Sequence, residues 1–234
     1  MLDVEGLTVK YGAFLALSDI NINVKKGEIV GVIGPNGAGK TSLARCISGL
    51  VPPAEGNIAF EGLSLAGVPT HRRIDLGISL IPEGRGLFPQ MSVEENLLMG
   101  GYPLGSAKAV DESMNQCFNL FPVLKDRRRQ LAGTLSGGQQ QMVAISMGLM
   151  PMPKLCIFDE PSLGLAPIVI QEIGQRLRAL RERGLTVLLI EQNAKLTCDV
   201  ADRIYIVSAG AIRYHDTPAK LFENQEVIET FLSA

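Results

Sequence analysis

No window of this 234-residue chain approaches the roughly 18 consecutive apolar residues that a membrane-spanning helix needs. The N-terminus, Met1-Leu2-Asp3-Val4-Glu5, carries no basic n-region and no apolar h-region, and strand-like alternation begins there at once. A cytoplasmic protein is therefore expected, holding to any membrane only through a partner. A surplus of basic charge is missing too. The 22 Lys and Arg stand against 24 Asp and Glu, for a net charge of −2 and a pI near 5.8. That balance argues against an electrostatic nucleic-acid binder. The single notable basic run, Arg127-Arg128-Arg129, reads as a solvated face. The four cysteines (Cys46, Cys117, Cys156, Cys198) lie far apart without C-x-x-C spacing. Buried free thiols are expected there, in place of a disulfide or a metal site.

Apolar residues make up 46% of the chain and charged residues 20%, enough for a sizeable core. Leu2, Val4, Leu7 and Val9 alternate as a half-buried strand, and Ile20 to Val24 and Asn57 to Phe60 give two more. This first part reads as antiparallel sheet joined to the apolar run Ile29 to Ile33, with Ile78 to Ile81 as a buried strand. From Met91 to Met150 no strand is evident. Ser92 followed by Glu95 forms a capping-box pattern, and helical stretches cover Ala107 to Phe121 and Gly137 to Met150. Strand pattern returns at Leu155 to Phe158. A helix is expected from Pro167 to Arg183, with Val169, Ile173, Leu177 and Leu180 on one face and Gly184 past its end. Leu185 to Ile190 suits a parallel strand covered on both sides. A hairpin around Ala209-Gly210 and two short helices, the last including Val227 to Leu232, close the chain. Strand–helix alternation indicates an α/β fold with a helical part set into it.

Gly34-Pro35-Asn36-Gly37-Ala38-Gly39-Lys40-Thr41 fits G-x-x-x-x-G-K-[ST], after an apolar strand and before a helix, which is the context that motif requires. Its glycines let backbone N–H groups turn inward around a polyphosphate, and the helix N-terminus adds partial positive charge. Lys40 is expected to reach the β- and γ-phosphates, Thr41 to offer a hydroxyl to Mg²⁺, and Ser42 to stand beside it. Asp159 and Glu160 end the strand Leu155 to Phe158, and carboxyl ends of strands are where ligands gather in such sheets. Asp159 is assigned to the metal. Glu160 is assigned as the base that polarises a water towards the γ-phosphate.

The phosphate loop, then Leu135-Ser136-Gly137-Gly138-Gln139, then Leu155 to Glu160 followed by Pro161, resembles the motif order of the ATP-binding cassette ATPases. The likeness runs almost continuously from residue 2 to 232. Physically, Leu135 to Gln139 is a second anion cradle, with N–H groups at a helix start and a serine hydroxyl. In isolation it reads as a plain N-cap. The resemblance implies a P-loop NTPase (RecA-like) core with an N-terminal antiparallel β subdomain, built from residues 1–90 and 151–234. An inserted helical subdomain, 91–150, would carry the serine-glycine-glycine signature. It further implies ATP and Mg²⁺ as cofactors and head-to-tail pairing, each signature closing over the nucleotide on the other subunit's phosphate loop. Tyr11 falls where an aromatic stacks on adenine, and Ser162 to Ala166 where a loop crosses the dimer seam.

Three segments, Ile81 to Pro89, Pro161 to Pro167 and Ile190 to Ala194, resemble more narrowly the F-type ATPase subunit of branched-chain amino acid importers. The implied partners are a second ATPase subunit of a different G-type, two membrane permeases and, indirectly, a periplasmic or extracellular solute-binding protein, with no nucleic acid. The implied place is the cytoplasmic face of the plasma membrane. A self-pair remains open, as do other amino acids, amides or urea as cargo. Glu83 stands where most of the superfamily has a glutamine that senses Mg²⁺ and water, and Gln192 where most have a histidine reaching the γ-phosphate. Both are carried as catalytic positions, Glu83 also as a metal neighbour, although Gln192 cannot relay a proton as imidazole can. Met147 replaces a frequent arginine. A cassette acting on DNA or ribosomes and a non-hydrolysing regulatory cassette are the competing classes.

Overall fold

The computed structural model describes residues 1–223. Strands β1 (Leu2–Tyr11) and β2 (Phe14–Val24) form a hairpin, and β3 (Ile29–Ile33) runs through the phosphate loop into α1 (Lys40–Ser48). Next come β4 (Glu55–Phe60), β5 (Leu63–Ser64), α2 (Thr70–Asp75) and β6 (Ile78–Ile81). The middle holds α3 (Val93–Gly100), α4 (Ala107–Leu120), α5 (Pro122–Asp126) and α6 (Gly137–Leu149). The chain returns to sheet with β7 (Leu155–Asp159), α7 (Pro167–Glu182), β8 (Thr186–Glu191), α8 (Ala194–Val200), β9 (Arg203–Ser208) and β10 (Ala211–Asp216), and α9 (Pro218–Glu223) follows. The helix expected at Val227 to Leu232 lies outside the described residues.

One sheet has the order β2-β1-β4-β5 and is antiparallel throughout. The other has the order β10-β9-β3-β8-β7-β6 and is parallel except for the β9–β10 hairpin. After β3 the chain leaves for the far edge at β6, works back through β7 and β8, then crosses to β9 on β3's other side. β3 is therefore the topological switch point, where a crevice opens beyond the carboxyl ends of the strands.

The alternation of side chains divides the core. On β3, β7 and β8, Val30, Val32, Leu155, Ile157, Leu188 and Ile190 face α1 and the antiparallel sheet. Their neighbours Ile29, Cys156, Phe158, Val187 and Leu189 face α3 to α7. A strand lined on both faces must read as an unbroken apolar run, and all three strands are buried along their whole length. In β1 the pairing with β2 slips between Val4 and Leu7, a bulge that lets Leu2, Val4, Leu7 and Val9 all face inward despite their uneven spacing.

Local chemistry sets the element ends. Ser92 and Glu95 exchange both bonds of a capping box at the start of α3. α4 stops at Leu120 because Phe121, preceding Pro122, is forced off the helical backbone (φ −128°, ψ 81°). β5, α2 and α8 were not expected. Each is seven residues or shorter, too short to display a period. Cys46, Cys117 and Cys156 are buried free thiols and Cys198 is half-buried. Burial pushes Cys46 to about 11 and Cys117 to about 12, so these thiols are inert. Arg127 to Arg129 are exposed, with Arg128 paired to Glu94. No described helix is long and apolar enough to cross a membrane.

Candidate functional site

The phosphate loop arches from the end of β3 to the start of α1. Gly39, at the helix start, has φ 101°, and a Cβ there would stand 2.4 Å from Leu17 Cδ2 and 2.6 Å from the Ala16 carbonyl oxygen, so no other residue fits. No side chain caps α1, which leaves its first N–H groups facing the crevice for an anion. Lys40 is buried at 5% exposure. Its Nζ donates to the carbonyls of Gly34 (2.8 Å) and Pro35 (3.1 Å) and lies 3.1 Å from Glu160 Oε1.

Next door, β7 delivers Asp159 beside the loop, where the Thr41 hydroxyl donates to Asp159 Oδ1 at 3.1 Å. Burial pushes the Asp159 carboxyl up to about 6; the Thr41 bond opposes this, and the charges of Glu83 and Glu160 add to it. Glu160 occupies left-handed backbone (φ 52°), an outlier for a residue with a Cβ. That turn is held from β8. The Glu160 N–H donates to the Ile190 carbonyl at 2.9 Å, and Glu160 Oε2 accepts the Gln192 N–H at 3.0 Å. Glu191, fully buried between them, accepts the Ser162 N–H (2.8 Å), the Ser162 hydroxyl (2.9 Å) and the Asn193 N–H (3.2 Å). Burial raises its carboxyl above the usual range, against the pull of those bonds.

These groups open onto a cleft of about 390 Å³ walled by Phe14, Ala16, Asn36, Gly37, Gly39, Lys40, Thr41, Ser42, Glu83, Glu160 and Leu163. A roomier cleft, about 430 Å³, lies at the opposite ends of β7 and β8, lined by Lys154, Leu180 and Thr186 among others. It holds none of the expected site residues, and the lysine–acid constellation decides for the smaller one. There a lysine, uncapped amides and a threonine hydroxyl meet a pair of carboxylates. The set suits a polyphosphate, with hard oxygen donors for a divalent cation and a base for water.

Most of the residues singled out from sequence converge here. Gly34 and Pro35 hold Lys40, Ala38 is buried beneath the loop, and Asp159 is reached through Thr41. Gln192 touches the site through its backbone, its side chain being exposed. Tyr11, 40% exposed, sits at the tip of the β1–β2 hairpin outside the cleft wall, while Phe14, its partner across the turn, lines it. Leu135 to Gln139 do not line the cleft. Ser136 is an exposed N-cap of α6: its Oγ accepts the Gln139 N–H (3.3 Å) and Gln139 Oε1 accepts the Ser136 N–H (3.2 Å). Locally, then, it is the plain capping box that the isolated motif suggests, with its hydroxyl proton left to donate.

Phe14 and Ala16 belong to no motif in the sequence, and Glu191, inside the segment Ile190 to Ala194, has no role assigned to it there. Glu191 had a usable signal, being an acid that closes an otherwise apolar strand. The backbone turn that brings Phe14 to the cleft has none.

The sequence pattern of the ABC transporter family matches residues 17–163. Over 232 residues the chain is 46% identical to the high-affinity branched-chain amino acid transport ATP-binding protein BraG of Pseudomonas aeruginosa, covering 99% of each. To BraF of the same organism, also a high-affinity branched-chain amino acid transport ATP-binding protein, it is 32% identical, covering 99% of this chain and 97% of that one. The fold superposes on MJ1267, an ATP-binding cassette of an ABC transporter in its ADP conformation, with a TM-score of 0.86 at 28% identity, covering 98% and 97%. A nucleotide-free ATP-binding cassette from an ABC transporter superposes equally well, at 27% identity, a TM-score of 0.86 and the same coverage. On that match and that identity, the chain belongs to the ABC transporter family, as one of its ATP-binding and ATP-hydrolysing subunits.

Proposed function

We propose that this chain energises an importer of branched-chain amino acids, clasping ATP at a seam between two cassettes and hydrolysing it there. One observation carries the reading: Lys40, Thr41 and Glu160 line one cleft with Asp159 bonded behind Thr41, while the Ser136 cradle is exposed and lies outside that cleft. A second cassette, turned head to tail, is what Ser136 would serve.

In this reading Lys40 grips the β- and γ-phosphates. A polyphosphate competes with Glu160 for the ammonium, so its arrival frees Glu160 Oε1 while the Gln192 N–H still holds Oε2. The freed oxygen takes a proton from the attacking water, and the γ-phosphoryl leaves ADP in line. Mg²⁺ would be held by Thr41 and Asp159, with Glu83 on the cleft wall, and would neutralise the charge between the phosphates. Tyr11 at the hairpin tip is assigned to the adenine, with Phe14 beside it.

The cargo follows from the 46% likeness to BraG. The lower likeness to BraF, a second protein of the same description in the same organism, supports a different cassette as the working partner. Residues 91–150 act as the helical subdomain and, with the loop from Glu83 to Met91, form the groove for a permease helix. Phe88 is exposed there at 41%, and buried Asn96 braces its backbone through both Oδ1 and Nδ2 (2.9 and 3.0 Å). The complex sits on the cytoplasmic face of the plasma membrane and is fed by a solute-binding protein outside.

Native purification tests this directly. Two permeases and a second ATPase are expected to co-purify, and the reconstituted complex is expected to hydrolyse ATP faster with leucine-, isoleucine- or valine-loaded binding protein. Stimulation confined to urea or short amides would overturn the cargo. Absence of permeases would overturn the transport role.

A further inference from the structure

Gly84, Arg85 and Gly86 all have left-handed backbone, with φ of 79°, 73° and 63°. Glycine takes that region freely; an arginine between two glycines does so only under strain. The strained turn aims the Arg85 side chain away from its own loop and onto α6. There Arg85 Nη1 donates to Gln140 Oε1 at 2.5 Å. The guanidinium also lies over Gly137, where a Cβ would come within 3.2 Å of Arg85 Nη2. Gln140 passes the tether on, since its N–H donates to the Ser136 carbonyl (2.9 Å) and its Nε2 to the Ala132 carbonyl (3.3 Å).

Neither feature favours a role in stability. The backbone is strained, and a cation at a helix N-terminus opposes the helix dipole. Two residues before Arg85, Glu83 lines the cleft that holds this chain's own nucleotide. Four residues before Gln140, Ser136 presents the cradle meant for the partner's nucleotide.

We propose that Arg85 is a positioning residue that couples the two half-sites, so that the state of the loop at Glu83 sets the placement of Ser136 against the neighbour's ATP. This rests on the two-sided clasp described above.

The test is a double-mutant cycle on the natively purified complex with its permeases and second cassette. Steady-state hydrolysis would be measured for Arg85→Ala, Gln140→Ala and the pair, alongside ATP affinity and thermal midpoint of the isolated chain. Each single change is expected to lower kcat by roughly tenfold, within the twofold to thirtyfold span of residues along a coupling route. The pair is expected to lose no more than the worse single change, with KM for ATP and the isolated chain's ATP affinity unmoved. Arg85→Lys, which retains the charge and a single donor nitrogen, should recover part of the rate. Additive losses, unchanged rates, or losses that follow the ATP affinity or the thermal midpoint would overturn the proposal. Ser136→Gly, run beside them, separates the two levels: if it leaves hydrolysis intact the clasp itself is wrong, and if it cripples hydrolysis while the cycle is additive only the role of Arg85 fails.

Discussion

At Lys40 a glycine-rich helix start is buried, uncapped by any side chain, and ringed by the ends of β3 and β7. At Ser136 a glycine-rich helix start is exposed, closed by a reciprocal capping box, and faces no residue of its own cleft. Both are anion cradles in principle, since both offer amides and a hydroxyl at a helix N-terminus. Only the first is supplied with a buried lysine and two acids. In the proposed clasp, one chain thus carries a whole binding site and half of another, and the two can be pulled apart by mutation.

The largest effect belongs to the buried cradle. Glu160→Gln keeps the shape and the oxygen that accepts the Gln192 N–H but removes the base, so kcat in the assembled complex should fall by roughly 10²- to 10⁴-fold with ATP affinity retained. Turnover equal to the parent would take Glu160 out of the chemistry and revive the regulatory-cassette reading. Lys40→Ala, by contrast, should lose affinity as well as rate, because the ammonium meets the ground-state phosphates too.

A second pair of changes isolates the exposed cradle. Ser92 and Ser136 are chemically the same feature, each a serine N-cap with a reciprocal partner three residues on. Alanine at either position should cost about 1 kcal/mol of stability, and glycine only a few tenths. Only at 136 should hydrolysis suffer, by roughly a hundredfold, as when one donor to a developing charge is lost. Ser136→Gly is therefore the cleaner variant. Matching small losses at both serines would reduce the signature to a helix cap.

That pairing also shows why some of the site was legible and some not. The phosphate loop is one unbroken run of residues and Asp159-Glu160 another, and the apolar strand before each announces which strand end carries it, so both were legible as local motifs. Parallel strands buried on both faces showed themselves in the same way, as did the Ser92 cap. Phe14, Glu191 and the reach of Arg85 depend on contacts between segments distant along the chain. Ser162, for example, meets Glu191 only because β7 and β8 lie side by side. Short elements such as α8 escaped for another reason, since about two turns cannot display a helical period.

The smallest predicted effect asks whether the buried cradle is under electrostatic load that the exposed one lacks. Asp159 is 3% exposed and its carboxyl is raised from 3.8 to about 6, first by burial and then by Glu83 and Glu160. Between those values the folded chain binds more protons than the unfolded one, so stability falls as pH rises through that window, and the cost is complete above it. Asp159→Asn keeps an oxygen for the Thr41 hydroxyl and removes the charge. In the isolated chain without nucleotide it should therefore raise stability by at most about 3 kcal/mol at pH 7.5, and by almost nothing at pH 3.5, where the aspartate is already neutral. Denaturant titration at the two pH values measures the difference. A gain of equal size at both would trace the effect to packing instead of charge. A loss at pH 7.5 would mean that the carboxylate is paid for within the fold, and that the nucleotide-holding cradle is no more strained than the one at Ser136.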